Sequence, residues 1–239
     1  AAILATFLGI ALGIHATLLT ALLCLDHRNI NLNESMKFLL VQWCTYICFL
    51  ITFHLSEFFV TACYNSTVVS ADSFMVNHSK AYTIAMIVSW MEFWIEFAAM
   101  YVLDMNMRVN ASIIAQIVRW LGLVLLLFGQ IMRTVSMATC GESFNHLIQD
   151  RKKDNHVLIT RGVYAYFRHP SYVGWFYWSI GTQIVLMNPI SAVAYTLASW
   201  DFFRKRIPYE EMTLTKHFGS HYTEYIGHSW MGIPFIPRR

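Results

Sequence analysis

Charge is what this sequence has least of. Only 13% of its 239 residues are Asp, Glu, Lys or Arg, against roughly 25% in soluble globular domains. That deficit excludes an ordinary water-soluble domain and a disordered, self-repelling chain alike. Proline is sparse too, at five residues, and no Ser/Gly/Pro-rich linker, internal repeat or low-complexity stretch divides the chain. The cysteines, Cys24, Cys44, Cys48, Cys63 and Cys140, are odd in number and four lie in apolar stretches. This excludes a disulfide framework and predicts small, buried apolar residues. No Gly-x-Gly-x-x-Gly follows a strand-like run, so a Rossmann-type nucleotide domain is excluded as well. What remains is apolar mass: 56% hydrophobic and 15% aromatic residues, with a mean hydropathy of +0.46. The expectation is an all-α polytopic membrane protein.

A helix needs about 20 apolar residues to cross a bilayer. Segments 1–25, 38–63, 82–103 and 112–135 meet that length. A fifth, 172–187, is interrupted by Asn188-Pro189 and followed by a sixth, 190–203; both are short, and together they read as a hairpin. The sequence opens on Ala1, which reads as a chain without its natural N-terminus. Its first run lacks a basic leader and further spans follow, so it is expected to be a membrane helix rather than a signal peptide. The whole, 1–239, is expected to be one membrane-embedded domain. Residues 1–136 would supply membrane helices, and 137–239 the chemistry, with a short helical hairpin and a cytosolic tail.

Polar residues concentrate in two places. Loop 137–171 holds Arg151, Lys152, Lys153, Arg161 and Arg168 against three acids; tail 204–239 holds Arg204, Lys205, Arg206, Lys216, Arg238 and Arg239 against three. The positive-inside rule puts both on the cytosolic face, and with four spans before the loop the N-terminus lies there too. The sequons at Asn33 and Asn110 would then face the lumen, and those at Asn65 and Asn77 the cytosol, unglycosylated.

Ionisable residues within a span are costly and normally face protein or a wet cavity. His54 and Glu57 share one helix face, and Glu92 and Glu96 another; the sequence assigns them no partners. Arg119 and Asp201 read as interior pairing or snorkelling. Arg133, at the cytosolic end of the fourth span, is placed where an anionic ligand could reach it.

In the loop, Pro170 suits the first turn of a helix, with His169 near the N-cap and Ser171 and Tyr172 following. Such an N-terminus favours an anion, although a basic, aromatic interfacial belt would look the same. In the tail, Pro208 is expected to begin a helix carrying Glu210 and Glu211 in its first turn, and Arg206 stands four residues from Glu210. His217, His221 and Glu224 share a helix face, but zinc needs three or four ligands and no other cluster supplies them, so no metal is expected.

The run Gly162-Val-Tyr164-Ala-Tyr-Phe-Arg-His-Pro-Ser-Tyr-Val-Gly-Trp-Phe-Tyr-Trp-Ser-Ile-Gly-Thr-Gln183, then Asn188-Pro189, resembles the isoprenylcysteine carboxyl methyltransferase family. Arg206, Glu210-Glu211, Phe218-Gly219, Tyr222 and Tyr225 extend the likeness, as do Ser56-Glu57 and Ser143-Phe-Asn145-His146. Arg-His-Pro with the Glu pair is also shared with phospholipid methyltransferases and sterol reductases; the continuous aromatic run narrows the likeness. Ile207-Pro208-Tyr209 departs from it, relatives often being more acidic there.

The resemblance implies a multi-pass enzyme of the endoplasmic reticulum membrane with about six to eight membrane helices. Its cytosolic cofactor site would be formed by the loop and the C-terminal tail. The implied reaction is transfer of a methyl group from S-adenosylmethionine to the C-terminal carboxylate of a farnesylated or geranylgeranylated cysteine. The partners would be prenylated CaaX proteins after tail proteolysis, with the lipid bilayer and no nucleic acid. The implied cofactor residues are Gln149, His156, Val157, Leu158, Ile159, Tyr164, His169, Pro170, Ser171, Tyr172 and Glu210. Arg206 and Arg133 would be the catalytic, substrate-binding arginines at the carboxylate.

The chemistry is consistent with those residue types. An α-carboxyl group titrates near 3.3–3.7, so the nucleophile is already ionised and needs orientation rather than a base. Guanidinium groups grip carboxylates bidentately, while a sulfonium and an ammonium favour Glu210 and the faces of Tyr164 or Tyr172. Trp175, Phe176 and Trp178 are either the wall of a lipid opening or an aromatic belt. Three rivals stand beside this reading: an NADPH-dependent membrane sterol reductase, with Arg151-Lys152-Lys153 for a 2′-phosphate, a phospholipid N-methyltransferase, and a non-catalytic transporter or scaffold.

Overall fold

In the computed structural model, residues 1–24, 34–77, 79–102, 113–151 and 156–236 are described. The sequons at Asn33 and Asn110, His78 of the Asn77 sequon, the Lys152-Lys153 pair and the terminal Arg238 and Arg239 lie outside them, wholly or in part. Each expected span is helical over its described core. In order these are α1 (Ala2–Cys24), α2 (Glu34–Tyr64), α3 (Lys80–Val102), α4 (Ile113–Cys140), α5 (Pro170–Leu186) and α6 (Pro189–Phe218), followed by α7 (Ser220–His228). By length and composition, Ala2–Cys24, Met36–Tyr64 and Ile113–Ser143 can each cross a membrane. The only strand-like feature among the described residues is a parallel bridge between Phe167 and Trp230.

α4 and α5 meet backbone to backbone. A Cβ on Gly129 would lie 2.4 Å from the Trp178 nitrogen, and one on Gly174 would lie 2.5 Å from the Arg133 nitrogen. Gly122 and Gly181, each seven residues away on its helix, repeat the contact one layer down. Without side chains in the seam, helices approach to a distance no larger residue allows. This sets the N-terminus of α5 against Arg133. On the outer side, Phe53 stacks on Trp178 at 4.1 Å in a core shared with Tyr46, Phe93, Leu126 and Leu186.

The acid of unknown partner on α3 proves to be a cap. Glu92 accepts from the backbone nitrogens of Ile190 and Ser191 at 2.8 and 2.7 Å, neutralising the positive end of α6. Below it, Asn188 donates to the Ser89 carbonyl at 2.9 Å and Ser89 to Gln183 at 2.7 Å, which locks the hairpin turn. Asp201, by contrast, pairs at the surface with Arg204 and Lys205. Arg119 sits 4.9 Å from the Phe38 ring centroid.

Two expectations are corrected. Pro208 does not start a helix: α6 runs through it from Pro189 to Phe218, so Glu210 and Glu211 lie in its C-terminal third. An interior proline costs about 3 kcal/mol. Here Phe203 and Ile207 bury fully against Val173, Phe176, Met231 and Ile233, at roughly 1.5–3 kcal/mol per side chain, so packing in the turns just before the proline outweighs the break. The cysteines are all free, but Cys24 and Cys63 are exposed; an apolar sequence neighbourhood marks a lipid-facing position as readily as a core one.

Candidate functional site

Among the described residues between α4 and α5 there is no long regular element, and they fold over the ends of the helices because polar side chains pin them there. Asn65, at the end of α2, donates to the Phe144 carbonyl at 3.1 Å. The Ser143 hydroxyl accepts from the Val157 nitrogen at 3.3 Å. Around the parallel bridge of Phe167 with Trp230, Arg168 N donates to the Trp230 carbonyl at 2.9 Å and Trp230 N to the Tyr166 carbonyl at 2.8 Å. His169 then occupies the N-cap of α5 with Pro170 in its first turn, as the sequence indicated.

These segments enclose a cavity of about 870 Å³, measured out to its mouth, against the upper part of α6. Its wall contains Gln149, His156–Ile159 by number 156–159, Tyr164, His169, Pro170, Ser171, Tyr172 and Glu210, so every residue the resemblance implied for a cofactor is gathered in one place. His169 stacks on Tyr172, centroids 5.4 Å apart and rings within 6° of parallel. The Tyr172 hydroxyl donates to Glu210 and accepts from the Arg206 Nε at 2.7 Å. Arg206 and Glu210 therefore face each other through a phenol rather than as a direct pair. Arg206 lines a second, neighbouring cavity, about 1650 Å³ with its open mouth included, that also touches Val60, Met75 and Met137. The strap of residues 144, 145 and 147 lines both cavities and divides them.

Arg133 is found elsewhere than expected. Its guanidinium is 2% exposed and lines neither cavity. Nε and Nη2 donate to the two oxygens of Glu57 at 2.7 and 2.8 Å, and Nη1 donates to Ser171. Trp175 and Phe144 flank it, with centroids at 5.3 and 5.4 Å. A charge withdrawn from water this completely needs a partner, and α2 supplies it. His146 adds a third bond to Glu57 at 2.9 Å. Trp175 thus packs on a cation inside the protein, and Trp178 on Phe53, so neither residue belongs to a simple interfacial belt.

Sequence reasoning missed two further wall residues. Arg168 gives Nη1 to Glu211 at 2.9 Å, yet its Nε and Nη2 are buried without a partner, as is the Tyr222 hydroxyl. All three atoms belong to residues lining the first cavity. Buried orphan donors are rare, and three around one cavity point to an anionic or acceptor-rich guest. Burial, together with the neighbouring Cys140 thiol and Glu210 carboxylate, pushes the Tyr164 phenol well above its ordinary value; burial and Glu211 do the same for Tyr222. Both stay neutral. The only signal in the sequence was the position of these residues within the resemblance itself. The metal triad comes apart: His217 lines the first cavity, whereas His221 and Glu224 line a neighbouring groove. Among the described residues no group of three or more His, Cys, Asp or Glu is placed to hold a metal ion.

Residues 120–216 match the isoprenylcysteine carboxyl methyltransferase family. A protein-S-isoprenylcysteine O-methyltransferase of Xenopus laevis is 50% identical over 191 residues, covering 80% of this chain and 63% of that protein. Its namesake in Schizosaccharomyces pombe is 34% identical over 235 residues, covering 94% of this chain and 99% of that protein. A solved structure of the eukaryotic intramembrane Ras methyltransferase, an isoprenylcysteine carboxyl methyltransferase, superposes with a TM-score of 0.80 at 42% identity, covering 96% of this chain and 74% of that one. The chain therefore spans less than two thirds of the Xenopus relative's length.

Proposed function

Since the chain belongs to the isoprenylcysteine carboxyl methyltransferase family, we propose that it methylates the C-terminal carboxylate of a prenylated cysteine, using S-adenosylmethionine. What supports this most is one arrangement: a carboxylate in one cavity and an arginine in the next, joined through the Tyr172 hydroxyl. When bound, S-adenosylmethionine supplies an electrophilic methyl group on a sulfonium and leaves as a neutral thioether. The residues present suit it. Glu210 faces its cationic groups, the orphaned donors of Arg168 and Tyr222 suit its carboxylate, and His156, edge-on to Phe218 at 5.4 Å, offers an aromatic wall for its base. Gln149, Val157, Leu158, Ile159, Tyr164, His169, Pro170 and Ser171 complete the enclosure.

The acceptor carboxylate is ionised at neutral pH, so no general base is required. Arg206 strips water from it and aims one oxygen at the methyl carbon; orientation of this kind contributes about 7–11 kcal/mol. Arg133 acts at one remove, holding Ser171 and Glu57 in place, and makes no contact with the carboxylate. A prenyl chain enters from the membrane while the cofactor enters from the cytosol. In this reading α1–α6 cross the endoplasmic reticulum membrane, 137–239 carries the cytosolic chemistry, and 1–136 contributes Glu57 and Arg133 to it. The partners are CaaX proteins after removal of their last three residues. The relatives and the solved structure carry the methyltransferase name and lend nothing to the reductase, phospholipid or transporter readings.

The test uses purified protein in lipid vesicles, methyl-labelled S-adenosylmethionine and a short farnesyl-cysteine acceptor, counting methanol released by base. Ester that requires both the prenyl group and the free carboxylate is expected, with Arg206→Ala lowering kcat/KM at least about 100-fold while cofactor binding persists. Cofactor binding without ester would move the assignment to another acceptor.

A further inference from the structure

We propose that His146 is a positioning residue for the acceptor carboxylate, because it ties the Arg206 guanidinium to the buried Arg133–Glu57 pair. The proposal rests on the methyltransferase reading only in giving Arg206 its task. His146 works from both ends. Its backbone carbonyl accepts from Arg206 Nη2 at 2.6 Å, and its ring Nε2 lies 2.9 Å from a Glu57 oxygen. Glu57 is fully buried and, as an ionised acid, only accepts, so the hydrogen of the bond sits on Nε2.

The position needs this support. His146 lies on the strap between the two cavities, outside any helix, where no ladder of backbone bonds fixes a carbonyl in space. Asn65 holds the strap two residues earlier, and the Phe144 ring meets the His146 ring edge-on at 5.1 Å. The imidazole ties residue 146 itself, whose carbonyl Arg206 uses, to a buried side chain of α2. Arg206 is then held from two sides, Nε by the Tyr172 hydroxyl and Nη2 by His146. That leaves Nη1 for an incoming carboxylate. Glu57 is already neutralised by Arg133, so the imidazole is not needed to balance its charge. Removing the ring should therefore loosen the strap and Arg206 while the bundle keeps its ion pair.

The experiment compares His146→Ala and His146→Gln with the unmutated protein in lipid vesicles, measuring affinity for farnesyl-cysteine, for its C-terminal amide, and for S-adenosylmethionine, together with thermal unfolding. For His146→Ala the expected result is affinity for the free acid falling tenfold or more, with affinity for the amide and the cofactor within about twofold. His146→Gln, whose amide donates to Glu57 from a similar reach, should recover most of the loss, and KM for the acceptor should follow the same order. Unchanged affinity for the acid in His146→Ala overturns the proposal. So does a parallel loss for acid, amide and cofactor with a lower unfolding temperature, which marks a merely structural residue, and so does a glutamine variant as poor as alanine. An unmutated protein that binds the acceptor without forming ester defeats the methyltransferase reading instead, and the binding comparison still decides the role of His146.

Discussion

Tyr222 is a side chain whose present surroundings do not satisfy it. Its hydroxyl is buried with no partner, and an unmet group of this kind costs roughly 1–3 kcal/mol. Replacing it by phenylalanine is therefore expected to leave the cofactor-free protein as stable as before, or slightly more so. If the hydroxyl serves the cofactor, the same change weakens S-adenosylmethionine binding several-fold. Unfolding temperatures with and without cofactor read both effects at once, and equal cofactor stabilisation in the two proteins would remove Tyr222 from the site. Tyr172 is the opposite case, with a hydroxyl bonded on both sides. Tyr172→Phe should leave Arg206 and Glu210 each short of a partner and depress acceptor and cofactor affinity together. Isothermal titration with each ligand separately checks this, and a change confined to one of them contradicts it. Neither distinction was legible in the sequence, where both residues are tyrosines in an aromatic-rich region; what separates them is whether a second chain segment happens to lie within 3 Å.

At the level of elements, the seam of α4 against α5 carries the site. Gly129 and Gly174 face backbone atoms at 2.4–2.5 Å, so a single added methyl group must push the helices apart and move Arg133 away from Ser171. Gly129→Ala is expected to cost about 1–3 kcal/mol or more, the usual cost of overpacking. Gly13→Ala on α1, where nothing lies within 4 Å, should be neutral. Thermal unfolding in lipid of the two variants side by side tests the contrast, and equal behaviour would mean that the seam is not under this constraint. The prediction of α5 starting at Pro170 held because first-turn proline is a local preference. The analogous inference at Pro208 failed. There the local preference competed with the burial of Phe203 and Ile207 against the returning tail, which no window around Pro208 can reveal.

Across the whole molecule, the two cavities and the strap between them depend on chain segments far apart in sequence: Glu57 with Arg133 and His146, Glu92 with the start of α6, Trp230 with Arg168. Two phenols on the polar side, the unpartnered Tyr222 and Tyr225, which donates to the Tyr164 and Phe167 carbonyls, are held above their ordinary values by burial. A phenol with a raised folded-state value binds its proton more tightly in the native protein than in the unfolded chain, whose value is near 10. Stability from this source is thus fully present at neutral pH and declines as pH rises past about 10. Unfolding temperatures measured from pH 7 to 11 should be flat at first and fall at the alkaline end; a fall centred near pH 7 would point to other groups.

Composition and hydropathy by themselves determined that this chain is a helical membrane protein, because apolar runs of bilayer length have no other stable form. They also placed most of its helix boundaries, since proline, asparagine and glycine act on their own neighbours. The continuous run through Arg168-His169-Pro170 was enough to identify the family. Only the tertiary structure decided which charges are spent inside the protein and which face a cavity. Arg133 and Arg206 look alike in sequence, but Glu57 comes 76 residues before Arg133 in the chain and neutralises it. Whether an ion is desolvated depends on everything that surrounds it in space, and a linear sequence does not specify those surroundings until the helices have packed.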